Sequence, residues 1–241
     1  MTATEATQDV WSKKSWEAPE TDKSEYKPEI LDYEQAKAVE AQNMRYKGVD
    51  KSGKSGIIKA ITVEDITTAD KNGVISDECK EIIANTIEKF KNNGHNFNFD
   101  DVRIIDIPPN KKGEVEVLRT NAVDRYGYPT LFLEINKNVF ANASKENIDK
   151  LFQAASNTVC NSLEDAVIHE IGHAKAIYKR SYANYERISE ELEQIHHKGI
   201  SKLAESDGLE CIAECEVLLS RGVNLSDEMM KFYLTYTTGG G

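Results

Sequence analysis

The sequence contains no apolar run approaching 18 residues, so nothing in it reads as a membrane-spanning helix. Cysteine is scarce. Four thiols (Cys79, Cys160, Cys211 and Cys215) in 241 residues are too few for a disulfide scaffold and read as reduced, buried side chains of a cytosolic protein. Basic charge is also short: 30 Lys+Arg face 41 Asp+Glu, a net charge of −11, and no basic cluster exceeds pairs such as Lys111-Lys112. Such a chain repels phosphate backbones, so no nucleic-acid partner is expected. The opening MTATEATQDV lacks a basic start and an apolar stretch, so a secretory signal is not expected. There is no internal repeat and no alternation of strand and helix, which argues against a doubly wound sheet.

What is present falls into two parts. Residues 1–55 are polar, with irregularly spaced aromatics (Trp11, Trp16, Tyr26, Tyr33), and read as an extended arm with one possible helix over 33–45. The motif GVDKSGKS at 48–55 matches the phosphate-cradling pattern GxxxxGK[ST]. That loop must follow a buried strand and open a helix. Here a polar helical stretch precedes it and a strand-favouring one, GIIKAITVEDITT, follows, so it reads as a Gly/Ser/Lys linker.

Residues 56–241 read as one α+β domain. Residues 76–94 form a helix capped by Ser76, with Ile82, Ile83, Ile87 and Phe90 inward and Gly94 as its stop. Three strand-like runs follow, 102–107, 114–119 and 130–135, with Asn110-Lys-Lys-Gly113 suggesting a hairpin turn between the first two. From Ser144 onward the pattern is helical, with Ser144 and Ser162 as N-caps. The expected domain is therefore a small, mainly antiparallel sheet followed by a helical half.

The chemistry is concentrated in that half. His169-Glu170-Ile171-Gly172-His173 is an HExxH inside a helix that starts after Ser162. Four-residue spacing puts both imidazoles on one face, able to share a tetrahedral metal, with Glu170 one step round to hold a water. A glycine and a further histidine downstream would extend the motif, but Ala176 and Lys179 stand there, which excludes that class. The third ligand must lie elsewhere. Glu210 and Glu214, four apart on a second helix, share a face, and one carboxylate can ligate while the other orients a histidine. Cys211 and Cys215 repeat that spacing but read as small core residues, and His196 and His197 as surface residues.

HEIGHA followed by ISKLAE and then ECIAEC resembles the lethal-factor-like zinc metallopeptidases, gluzincins that also occur in bacteriophage head (minor capsid) proteins. The resemblance covers about residues 160–220. It implies a zincin-like fold and a zinc metalloendopeptidase. His169, His173 and Glu210 would be zinc ligands, Glu170 the catalytic base, and Glu214 the residue behind a ligating histidine. It also implies a protein or peptide substrate, phage head proteins as possible partners of the arm, and a place in the host cytoplasm or the virion. In that family a tyrosine upstream of the third ligand stabilises the oxyanion. Leu203 stands there in this chain, leaving Tyr182 or Tyr185 to act, or an inactive structural relative. Zincins hold substrate extended along an edge strand above the active helix, and the run 130–135 is the expected edge.

Overall fold

The computed structural model describes residues 60–109, 114–141, 143–178 and 180–238. The 33–45 helix, the 48–55 motif and the 110–113 turn lie outside the described residues.

Helix α1 (Val63–Ala69) occupies a stretch whose β-branched residues suggested an extended chain. A capping box overrides that preference: Thr62 Oγ1 accepts from Asp65 N–H at 3.2 Å, while Asp65 Oδ2 accepts from Thr62 N–H at 2.9 Å. Helix α2 (Asp77–Asn92) starts at Ser76, as its sequence suggested. It stops where Gly94 takes φ +86° and His95 N–H reaches back to the Phe90 carbonyl at 3.1 Å. Cys79, Ile83, Ile87 and Phe90 make its buried stripe.

The sheet has three strands, β1 (Asp101–Ile105), β2 (Leu118–Arg125) and β3 (Tyr128–Asn136), in the order β1-β3-β2. It is mixed rather than mainly antiparallel: β1 runs parallel to β3, and β2 antiparallel to it. The hairpin joins β2 to β3, not the first two strands. Tyr126 and Gly127, with φ +57° and +83°, supply the left-handed pair that a two-residue hairpin turn needs. That turn sets the register Arg125↔Tyr128, and β2 begins at Leu118 instead of Glu114 and ends six residues beyond 119, at Arg125.

This order corrects the expected edge. Strand β3, which contains 130–135, is central and paired on both sides, so it cannot accept another strand. Strand β2 is the edge that lies over the HExxH helix, where Thr120 Oγ1 donates to the Glu170 carbonyl at 3.1 Å.

One sheet face is polar: the row Arg103–Glu134–Arg119 crosses all three strands, with Glu134 accepting from Arg119 Nη2 at 2.7 Å. The row Ile104–Ile135–Leu118 faces the core, which helices α2 and α5 close. Short α3 (Lys137–Phe140) and α4 (Lys145–Ala154) lead into α5 (Leu163–Ile177). Helices α6 (Tyr182–Leu192), α7 (Gly208–Ser220) and α8 (Asp227–Thr238) follow and build a second apolar cluster around Leu192, Ile212 and Leu234. Among the described residues, no helix is long and apolar enough to cross a membrane.

Candidate metal centre

Two capped helices bring the chemistry together. On α5, Ser162 accepts from Asp165 N–H at 3.2 Å, and Asp165 is clamped in turn by Arg221. On α7, Asp207 accepts from the N–H of Glu210 at 2.9 Å, so the Glu210 backbone is fixed in the first turn. Helix α5 is buried along nearly its whole length, so its polar residues beyond Glu164 sit mostly in protein rather than in water.

His169 Nε2 and His173 Nε2 lie 3.2 Å apart. Glu210 Oε2 is 3.1 Å from His169 Nε2, and Glu210 Oε1 is 3.7 Å from His173 Nε2. Ligand bonds of 2.0–2.1 Å around a tetrahedral zinc put neighbouring donors roughly 3.4 Å apart. The two imidazole nitrogens have that spacing, and the Glu210 carboxylate faces both of them, one oxygen to each. The residues present fit the ion that the resemblance implies.

Glu214 is fully buried behind His169. Its Oε1 accepts from Thr158 Oγ1 and its Oε2 from Val159 N–H, both at 2.7 Å. Nδ1 of His169 lies 3.2 Å from Glu214 Oε1, within ion-pair reach but off the line of a well-formed hydrogen bond, and nothing else bonds to it. Glu170 is buried, and its Oε2 has no hydrogen-bond partner. A carboxylate oxygen left bare in protein is costly, and a base that must take up a water presents one.

The charges hold one another. Burial opposes charging His169, but contacts with Cys160, Glu210 and Glu214 outweigh it and raise its pKa well above the usual imidazole value. Burial pushes the Glu210 carboxyl up, yet His173 and His169 beside it win and hold it far below the carboxylate range. Glu116, just before β2, is raised by partial burial and by the negative charges of Glu170 and Glu210, against the pull of Arg119.

Cys160 was missed from sequence. It is buried, and its Sγ lies 3.9 Å from Glu214 Oε1. Donor atoms of Cys160, His169 and Glu214 lie within 4.8 Å of one another, a second group that could hold an ion. A cysteine two residues before a helix cap carries no local signal of what a distant helix brings beside it.

The remaining candidates sit elsewhere. Cys211 and Cys215 are fully buried in the second apolar cluster. His196 and His197 lie beyond the end of α6 rather than on a helix. His196 Nδ1 is 3.1 Å from the Glu205 carbonyl, and the His197 ring packs at a tilt against Phe232. Tyr182 is tied by its N–H to the Gly127 carbonyl at the hairpin tip, and its ring packs against Tyr185. Neither tyrosine bonds to His169, His173 or Glu210. Leu203 N–H donates to the carbonyl of Asn157, next to the Thr158 that holds Glu214.

No protein-family model matches the chain, and neither the curated proteins nor the solved structures contain a significant match to it.

Proposed function

We propose that the chain is a zinc-dependent metalloendopeptidase with His169, His173 and Glu210 as ligands and Glu170 as base. One observation carries the reading: two imidazoles and a carboxylate converge beside a buried carboxylate, Glu170, whose Oε2 is unpaired. When bound, zinc supplies Lewis acidity and lowers the pKa of a bound water to about 7. Glu170 takes the proton of the attacking water and delivers it to the leaving amine. Glu214 orients His169 from behind, itself held by Thr158 and Val159. The substrate is an extended peptide lying along the open edge of β2, bound by main-chain hydrogen bonds with little sequence selectivity. Tyr182 and Tyr185 remain the candidates for steadying the oxyanion. Following the resemblance, the arm contacts phage head proteins, and the enzyme works in the host cytoplasm or the virion.

A second reading is a non-enzymatic phage structural protein on the same fold, with zinc as a staple or lost. Leu203 in the tyrosine's place favours it, as does the absence of a bond from Tyr182 or Tyr185 to the ligand set. Peptide-library cleavage by zinc-loaded wild type beside Glu170→Gln separates the two. Cleavage lost in Glu170→Gln with zinc retained supports the enzyme. No cleavage by either supports the staple.

A further inference from the structure

Helices α5 and α7 touch where both are smooth. A Cβ built on Gly172 would lie 2.7 Å from the Ala213 Cα. From this contact the two helices carry polar residues at the same three offsets. On α5, His169 and His173 lie three before and one after Gly172, and Lys175 lies three after. On α7, Glu210 and Glu214 lie three before and one after Ala213, and Glu216 lies three after. At about 100° per residue, the −3 and +1 positions fall to one side of the contact and the +3 position to the other. The candidate metal centre occupies the first side.

The second side holds a polar cluster that the proposed chemistry does not use. Lys175 Nζ donates to Glu216 Oε2 at 2.9 Å and to the hydroxyl of Tyr233 on α8, and that hydroxyl donates to the same Glu216 oxygen. All three are buried: Lys175 is 7% exposed, Glu216 2% and Tyr233 2%. His95 closes the cluster, its Nδ1 3.4 Å from Lys175 Nζ. A cavity of about 470 Å³ opens beside it. The charged groups on the cavity wall are spent on each other, in the pairs Lys89–Glu164, Arg221–Asp165 and Lys175–Glu216, so the wall offers an outside ligand little.

We propose that Lys175, Glu216 and Tyr233 are positioning residues that set the register of α5 against α7 and thereby hold Glu210 and Glu214 opposite the two histidines. This rests on the metal-centre reading. Contact through Gly172 and Ala213 brings the two backbones close, with the Glu216 Cβ seated beside Gly172. Apolar burial is non-directional, so packing alone constrains that register less tightly than bonds of fixed geometry do. Hydrogen bonds among three buried heavy atoms can, because their lengths and angles are narrow. A buried ion pair adds little net stability and is best kept where it specifies one arrangement.

The test uses the full chain and separates register from stability. In Lys175→Met/Glu216→Met the pair is replaced by apolar side chains of similar length. The melting temperature is expected to fall by no more than the loss of the two bonds to the Tyr233 hydroxyl accounts for. Zn2+ affinity by competition titration is expected to fall about 10–100-fold, as for loss of a residue that orients a ligand. The visible absorption of bound Co2+, which reports ligand geometry, is expected to shift. Tyr233→Phe keeps the pair and the volume and serves if the double variant does not fold. It is expected to shift the Co2+ spectrum and weaken Zn2+ binding by about 10-fold. Wild-type affinity and spectrum in the double variant, or in Tyr233→Phe if the double variant fails to fold, overturn the proposal. Failure of the metal reading looks different: the wild type binds no Zn2+, or His169→Ala/His173→Ala binds it undiminished, and the proposal falls with it.

Discussion

The Nδ1 atom of His169 lies 3.2 Å from Oε1 of Glu214, on the side of the ring away from Glu210. One imidazole is thus addressed by two glutamates a helical turn apart, and the two have different work. Glu210 offers its oxygens to the space between the histidines. Glu214 has both oxygens engaged by Thr158 and Val159. Glu210→Ala is therefore expected to abolish tight zinc binding, and Glu214→Ala to weaken it about 10–100-fold. Zinc titration of both decides. Tight binding kept in Glu210→Ala and lost in Glu214→Ala reverses the roles.

Cys160 tests which nitrogen of His169 meets the ion. Binding at Nε2 leaves Cys160 out of the ligand set, so Cys160→Ala is expected to keep zinc affinity within about 10-fold, the small end of the scale for a neighbouring group. Loss of binding in this variant would move the ion to the group formed by Cys160, His169 and Glu214.

Gly172 has no room for a methyl group, because the Ala213 Cα and, at 3.2 Å, the Glu216 Cβ occupy its place. Helix propensity alone would favour alanine there by about 1 kcal/mol. Overpacking against backbone costs typically 1–3 kcal/mol, and the contact is with backbone that cannot swing away. Gly172→Ala is expected to destabilise by about 1–2 kcal/mol, read as a lower denaturant midpoint at unchanged slope. A stabilised variant would show that the helices part freely.

Acid sensitivity should trace partly to Asp70. Burial raises its carboxyl pKa, but the backbone N–H groups of Ile75 and Val74 and the ammonium of Lys80 outweigh that and lower it from 3.8. A carboxyl with a lower pKa folded than unfolded stabilises the fold above its unfolded pKa, and that contribution disappears as pH falls through the folded value. Asp70→Ala also leaves Lys80, which is 5% exposed, with only its longer pair to Asp77 at 3.7 Å, and is expected to cost about 3 kcal/mol at neutral pH. The gap between wild type and variant should narrow as pH drops below about 4. Urea denaturation at a series of pH values reads it, and a gap that widens on acidification would contradict the sign.

The local signals in the sequence were legible and the pairings were not. Ser76, Ser144 and Ser162 announce helices because a hydroxyl capping an N–H three residues on is a local event. The α+β division was equally readable from period. Sheet order was not, because β1 finds its partner beyond β2 and no residue near 101–105 records that. The hairpin hid for a similar reason: its tip is Tyr126-Gly127, not an Asn-Gly pair, and β2 is polar on its outer face (Arg119, Asn121, Arg125). Thr62 and Asp65 could have been read as a capping box, but β-branched neighbours pointed the other way. In the candidate site, His169, Glu170 and His173 stand on one helix and declare their own geometry. Cys160 and the Lys175–Glu216–Tyr233 cluster arise only where separate helices cross.

Strand order also has a consequence for synthesis. As the chain leaves a ribosome, Asp101–Ile105 emerges before the other two strands described, yet among the described residues its partner in the sheet is β3. The β2–β3 hairpin closes across two residues and can form within microseconds of its own release. The first strand must wait, unpaired, and then dock against a finished hairpin across a long loop, the slower kind of contact to make. A nascent chain from which Tyr128–Asn136 has not yet emerged holds Asp101–Ile105 without the strand it pairs with.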